Sequence, residues 1–475
     1  MSAWGYRGVR QGSRDEAPAG KGIIVRTQSL GDQTVDLLGR LVRLGCVNDL
    51  TADSGGEERA ADLLEEFFAG LPVSIERITP HPGRTSLVVT VEGADPRSAG
   101  TPLTLLGHTD VVPVDTAKWT RDPFGAQIED DVMWGRGTVD MLHLTAAMAV
   151  VTREVARRAQ EGAPLARSLV FVAAADEEAR GGLGVPWIGD NKPDAFSWDA
   201  ALSEMGGAHV RGRRGGDSVV VVVGEKGAAQ RRLHIRGDAG HGSVPLGRTS
   251  AVERLAQVSA ALSAARWPTA TDEVWAGFVR AFEFDETTET SLISGTYEGD
   301  YSEFEDLAAF AHAISHVTVA QTVAHSGGPI NVMPSHATLE LDIRTLPGVD
   351  DDDVDAAIAA ALGDLAEHVT IERLLSEAAT ASSIDTDLYR VIEAALTQRY
   401  PGTRVVPVLF PGGSDLRVAR RLGGIGYGFG AVDSGASLGQ VYSQLHAHDE
   451  HIALADVRAT AEVLHEVVTS YLTDV

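Results

Sequence analysis

The sequence predicts an α/β protein in two parts: a three-layer α/β/α domain with a smaller α+β unit inserted into it. Three observations carry that expectation. Through the first half of the chain, helical periodicity alternates with short, wholly apolar runs, as buried strands covered by helices on both faces require. Near residue 225 the pattern changes to two-residue alternation, which marks strands with one solvated face. After a small, polar stretch at 376–387, the first pattern resumes.

In chain order, apolar residues at three- and four-residue spacing place helices over 33–44 and 57–69. Strands follow at 73–78, 86–91 and 103–107, then a long helix over 144–158 and a fully apolar strand at 168–175. In the inserted unit, residues 229–236, 338–344 and 369–373 alternate as strands, and 249–265 and 354–367 read as helices. The acid run 350–353 suits a helix N-terminus, where negative charge is favourable. A helix at 388–399, a strand at 405–409 and a closing helix at 456–472 complete the first domain. The expected division is therefore a flexible tail over 1–30, one discontinuous domain over 31–225 and 380–475, and an insertion over 226–379.

Composition narrows the function. At 475 residues the chain exceeds what one core ordinarily supports, and 44% hydrophobic with 23% charged residues is ordinary for a soluble enzyme. A formal net charge of −27 argues against nucleic acid and against anionic membrane surfaces, both of which select clustered Lys and Arg. The single cysteine, Cys46, excludes an internal disulfide and a thiolate metal site, so any metal must be held by His, Asp and Glu. It also suits a reducing, cytoplasmic setting. Residues 1–21 are Gly-rich and charged, without the apolar core of a secretory signal, and no apolar run is long enough to cross a bilayer.

Metal-type side chains gather at the ends of expected strands. His108 and Asp110, in Gly107-His108-Thr109-Asp110-Val111-Val112-Pro113, point to one side of an extended backbone. That allows His108 to bind a metal through one nitrogen while Asp110 fixes the other, although a plain hydrogen-bonded pair gives the same pattern. Asp140, after Trp134-Gly135-Arg136-Gly137-Thr138-Val139, is placed to cap a helix or to bridge two cations. Asp176-Glu177-Glu178 follows the most apolar strand, where three acids are costly unless a cation or a base role compensates. A division of labour fits them: Glu178 binds metal and Glu177 takes the proton of an activated water. Glu204 also follows an apolar run, and His446, His448 and His451 sit among Asp449 and Glu450.

Together these segments resemble the M20 family of metallopeptidases, which includes aminoacylases, dipeptidases, desuccinylases and glutamate carboxypeptidases, over about residues 30–475. The resemblance rests on GHTDVVP (107–113), WTRDPF (119–124), GRGTVDM (135–141), DEE (176–178) and HAHDE (446–450) in this order and spacing. It implies a hydrolase of peptide-type bonds holding two divalent metals, zinc first, with cobalt and manganese accepted by the same ligands. It implies that His108, Asp140 and Glu204 hold one metal and Asp140, Glu178 and His446 the other, His446 being preferred to His448 by its spacing from Glu450. Glu177 is then general base and acid, and Asp110 supports His108.

The resemblance extends to the insertion, which becomes a lid and dimerisation domain. His241, in Gly237-Asp238-Ala239-Gly240-His241-Gly242-Ser243-Val244-Pro245, corresponds to a histidine that helps hold the oxyanion in a neighbouring subunit of dimeric relatives. Asn331, Arg344, Gly413 and Ser414 fall in segments like the family's substrate-binding ones, and Arg344 suits a substrate carboxylate. The implied partners are a small peptide or N-acyl amino acid and a second copy of the chain. Leu142-His143 replaces the family's usual Lys-Gly, and Ser250-Ala251 its Asn-Ala, which leaves the substrate open. A non-catalytic relative would have lost the base or a ligand, and none is lost. A mononuclear zinc peptidase lacks its His-Glu-x-x-His helix here, and the glycines at 423–430 lack the dinucleotide-binding context.

Overall fold

The computed structural model describes residues 28–93, 100–163 and 165–473. The tail expected over 1–30 lies, up to residue 27, outside the described residues. A ten-stranded sheet forms the larger body, and its middle is parallel. Strand Leu103–His108 runs between Leu169–Ala174 and Ala200–Ser203, parallel to both, and Ile425–Gly428 continues parallel beyond Ala200–Ser203. The antiparallel hairpin Ser74–His81 and Arg84–Val91 forms one margin. At the other, Asp217–Glu225 pairs with Gly206–Arg211, Arg404–Phe410 and Thr380–Ala381.

The apolar strands divide their side chains between two cores, which is why they read as unbroken hydrophobic runs. Leu103, Leu105, Leu169, Phe171 and Ala173 face helices Leu30–Leu44, Leu142–Gln160 and Leu454–Thr473. Leu106, Val170, Val172 and Ala174 face helices Val185–Asn191 and Leu416–Arg421. The result is the expected α/β/α layering. Gly107 permits the close approach of the long helix, since a Cβ there would lie 2.6 Å from Thr145 Oγ1.

The second sheet has five strands, all antiparallel: Gly227–Ala228, Arg231–Arg236, Thr318–Ser326, His336–Thr345 and Val369–Arg373. Ala337, Leu339, Leu341 and Ile343 turn inward and share a core with Val258 and Leu262 of helix Ala251–Ala264 and Val354 and Ile358 of Asp351–Leu362. Asp350 caps the latter helix in a capping box, so the acid run begins a helix as expected. Between these elements lie helices Glu273–Ala281, Glu286–Ile293 and Ala308–Ser315, which the sequence reading passed over. Trp275, Phe278, Phe282, Phe304 and Phe310 form one aromatic cluster there, and helix Glu273–Ala281 packs on strand Arg404–Phe410 of the large sheet. Among the described residues, no helix is long and apolar enough to cross a membrane.

One buried ion pair supports the region where the central strands end. Arg84 is wholly buried, with Nη1 2.6 Å from Glu57 Oε1 and Nη2 donating to Asn48 Oδ1, the Thr51 carbonyl and Ser54 Oγ. Glu57 Oε1 also accepts from the amide of Asp176 at 3.2 Å. Arg84→Ala leaves the Glu57 carboxylate buried without its cation and is expected to cost about 3–5 kcal/mol in urea unfolding. The double variant Arg84→Met with Glu57→Gln should recover much of it. A single-variant loss within about 0.5 kcal/mol, the scale of a neutral surface change, would contradict this role.

Candidate metal centre

Three neighbouring parallel strands bring their C-terminal ends to one edge of the sheet, which is where such sheets place their ligands. His108 is the last residue of the middle strand, Glu204 directly follows Ala200–Ser203, and Glu177 and Glu178 lie in the turn after Leu169–Ala174. Asp140 enters just before helix Leu142–Gln160 and His446 in the loop after helix Leu438–Tyr442.

These six side chains meet. His108 Nε2 stands 3.3 Å from Asp140 Oδ1 and 3.8 Å from Glu204 Oε2. His446 Nε2 stands 3.3 Å from Asp140 Oδ2 and 3.2 Å from Glu178 Oε2. The two oxygens of Asp140 therefore face two different histidines. Ligand atoms of His108, Asp140 and Glu178 lie within 4.8 Å of one another, and so do those of His108, Glu177 and Glu204. Both His446 and His448 are exposed, and it is His446 that reaches the cluster, from a left-handed backbone with φ 60°.

Four carboxylates crowd two imidazoles here. Burial, then the neighbouring Glu204, raises the Glu177 carboxyl well above its ordinary range. Burial and Asp140 push Glu178 to about 7 and Glu204 to about 8. Hydrogen bonds to Asp140 and Glu178 raise the His446 imidazole to about 10. Burial opposes charge on both His108 and Asp140, but their mutual contact and their other partners overcome it, holding His108 high and Asp140 low. Glu178 Oε1 is buried with no hydrogen-bond partner.

This donor set fits divalent metal. Bonds of 2.0–2.2 Å in a tetrahedral arrangement separate neighbouring ligand atoms by roughly 3.3–3.6 Å. The observed 3.2–3.8 Å separations bracket that spacing and are long for charged hydrogen bonds.

The surroundings hold the cluster in place. The Asp110 carboxylate accepts from Asn48 Nδ2 at 2.9 Å and from the amides of Glu177 and Glu178 at 3.2 and 3.1 Å. His108 Nδ1 lies 2.9 Å from the backbone carbonyl of Asp110 and 3.6 Å from its carboxylate. The expected support of His108 thus comes from the Asp110 main chain, because the side chain is engaged by the acidic turn. Glu450, used in the sequence only as a spacing mark, is fully buried. It accepts from the amides of Gly137, Val139 and Asp140 and pairs with Arg136 at 2.7 Å, while Arg136 Nη2 donates to the His446 carbonyl. Gly137 has φ 87°, and a Cβ there would lie 2.7 Å from Val111 and Leu142.

A cleft of about 430 Å³ opens over the cluster, lined by Asp140, Glu177, Glu178 and Glu204 and by Arg344, Arg417 and Gly413. Arg344 is paired with Asp342 at 3.1 Å. Arg417, missed in the sequence, donates to the carbonyls of Ser414 and Arg180. Burial disfavours its cation, but Asp415 and Glu177 outweigh that and raise its pKa. Ser414 was expected to touch substrate, but its hydroxyl donates to buried Glu225 at 2.6 Å and it does not line the cleft. His241 and Asn331 are also absent from the cleft of their own chain. His241 lies on a two-stranded ribbon, Gly240–His241 with Val332–Met333, where it is exposed and bonded to Ser243 Oγ at 2.7 Å. Asn331 is exposed beside it.

Comparison with known proteins places these features. A relative described as probable carboxypeptidase S-like 2 from Dictyostelium discoideum is 26% identical over 343 residues, covering 70% of this chain and 64% of its own length. An acetylornithine deacetylase from Erwinia tasmaniensis is 26% identical over 308 residues, covering 64% of this chain and 65% of its own. The chain thus spans somewhat under two thirds of the length of these curated relatives. Among solved structures, an M20 family metallo-carboxypeptidase from Sulfolobus solfataricus has the same fold, with a TM-score of 0.66 at 19% identity over 93% of this chain and 99% of that one. The model of peptidase family M20/M25/M40 matches residues 104–470, from the strand that ends in His108 to the last helix. The chain belongs to that family.

Proposed function

We propose that this protein hydrolyses the amide or peptide bond of a small substrate bearing a free carboxylate, at a centre of two divalent cations with zinc the first candidate. The observation that carries the reading is Asp140, whose two oxygens face His108 and His446 with Glu204 and Glu178 completing the two sets. His108, Asp140 and Glu204 would hold one divalent cation and Asp140, Glu178 and His446 the other, which would supply polarisation of the substrate carbonyl and acidification of the attacking water. Glu177, the acid of the cluster that neither set requires, accepts the water's proton and returns it to the leaving amine. Arg344 and Arg417 supply cations for the terminal carboxylate. Removal of an acyl group from an N-acyl amino acid is the second reading, favoured by the deacetylase relative, and uses the same residues.

In this reading residues 31–225 and 380–475 carry the catalysis and 226–379 act as a lid. His241 serves the site of a second copy of the chain. Val244, Leu246 and Ile330 are 62%, 94% and 104% exposed around its ribbon, an apolar surface that a second copy would cover. The buried lone Cys46 is in keeping with a reducing, cytoplasmic location.

Three outcomes test these assignments. Glu177→Gln should keep its metal content by elemental analysis and lose roughly 10²–10⁴-fold in kcat. Full activity with normal metal would remove Glu177 as the base. Mixing His241→Ala with Glu177→Gln protein, each inactive alone, should restore turnover, because the mixed dimer assembles one intact site. No recovery, with subunit exchange verified by mass, would contradict service of His241 to the partner's site.

The third outcome concerns protons. In metal-free protein, the folded-state pKa values of Glu178 and Glu204, about 7 and about 8, lie above the ordinary 4.5, and that of His446, about 10, lies above 6.5. At these three groups the folded state then binds more protons than the unfolded chain, so their contribution to stability falls as pH rises through that window. Metal displaces the protons and flattens the slope. Thermal unfolding followed with and without chelator between about pH 5 and 9 measures this. A metal-free slope no more negative than the metal-bound one contradicts it.

A further inference from the structure

The polar cleft backs onto a second void of about 230 Å³ that the proposed reaction does not use. Glu204, Met205, Phe410, Tyr442 and Leu445 line both spaces and form the wall between them. Behind that wall the surface is apolar, formed by Val222 and Val408 of the large sheet, Phe429 and Leu438, and Phe310 of the aromatic insertion. Phe310 and Tyr442 meet edge to face at 5.3 Å.

Most polar groups at its margin already have partners, and His143 Nδ1 is the buried ring atom there without one. Asp456 accepts from the Ser434 amide at 2.6 Å and hydroxyl at 2.8 Å, Thr460 donates to the Ala431 carbonyl at 3.0 Å, and Gln444 accepts from the His451 amide at 3.0 Å. Burial pulls the His143 imidazole down to about 4, so it brings no charge at neutral pH. A buried water needs two to four polar partners, and an apolar cavity of about 150 Å³ already stays dry and takes up benzene. This larger void is suited to hydrocarbon.

Its place fixes which part of a substrate it can serve. Arg344 and Arg417 line the cleft but not the void. A substrate whose carboxylate lies at these arginines, on the amine side of the scissile bond, turns its acyl side away from them. Met205, unbranched and adaptable, stands at the dividing wall and can yield to an entering chain.

We propose that the void is a subsite for an apolar hydrocarbon group on the acyl half of the substrate, carried either by an N-acyl chain or by the side chain of a peptide residue. This rests on the amide-hydrolase reading. The experiment measures kcat/KM of the metal-loaded, full-length protein on one amino acid acylated from acetyl to decanoyl, beside dipeptides with Ala, Leu or Phe at the acyl position. The value should rise about fourfold per added methylene until the void is full. Rise in the acyl series, the peptide series or both identifies the source of the hydrocarbon. Val432→Phe and Ala436→Phe, which fill the void away from the metal cluster, should flatten the rise and leave acetyl turnover unchanged.

A flat or falling series with active acetyl substrate overturns the subsite and leaves the hydrolase reading standing. Equal loss of acetyl and decanoyl turnover in both variants overturns it as well. If no amide is turned over, the hydrolase reading fails, and calorimetry with sodium octanoate decides the void separately. Saturable binding weakened in Val432→Phe supports the subsite, and absence of binding overturns it.

Discussion

Four carboxylates and two imidazoles are crowded at the end of three parallel strands, and their charge is the constraint on which the rest of the site depends. Asp140, Glu177, Glu178 and Glu204 cannot all ionise in a buried place beside only two histidines, so Glu177, Glu178 and Glu204 are driven toward their neutral forms. Cations resolve the conflict in a way that protons do only partly. The ligand atoms already stand at spacings suited to metal, so little rearrangement is needed when it binds. Asp140 is central because it alone touches both histidines.

Such an arrangement persists only if the backbone beneath it is held in place. Asp110 ties down the acidic turn through two amides and Asn48, and Arg84 with Glu57 buttresses the same loops from below. Glu450 and Arg136 join the segment before Asp140 to the loop of His446, residues more than 300 positions apart in the chain. Each is a buried charge with a partner, the condition under which a buried charge is tolerable and its removal costly. The fold therefore stores its rigidity close to the place where ligand geometry matters.

How much of this could be read in advance follows from whether the signal was local. Glu177, Glu178 and Glu204 directly follow apolar strands, so a cost of burial was visible in adjacent letters, and His108 ends such a strand. Arg84 begins a strand and by sequence looks like an edge charge; only the fold shows it enclosed by Glu57 and the 48–54 loop. Arg417 sits on a short helix that also carries Arg420 and Arg421, and nothing local singles it out as the one facing the cleft. The helices between 273 and 315 are short, and their meaning lies in an aromatic cluster assembled from separate segments. His241, expected at a neighbouring subunit's site, lies on a ribbon outside the cleft of its own chain with Asn331, expected at the substrate, beside it, where an oligomer rather than a strand pattern would decide their role.

On the proposed reading, substrate choice lies in the groups around an otherwise family-like centre: arginines on one side of the cleft and an apolar void behind Met205 and Leu445 on the other. All of it presupposes that Asp140 bridges two cations. The most direct test is diffraction from zinc-grown crystals at the zinc absorption edge. The account predicts two anomalous peaks, one between His108, Asp140 and Glu204 and one between Asp140, Glu178 and His446. A single peak, or peaks that leave Asp140 without contact, would contradict it.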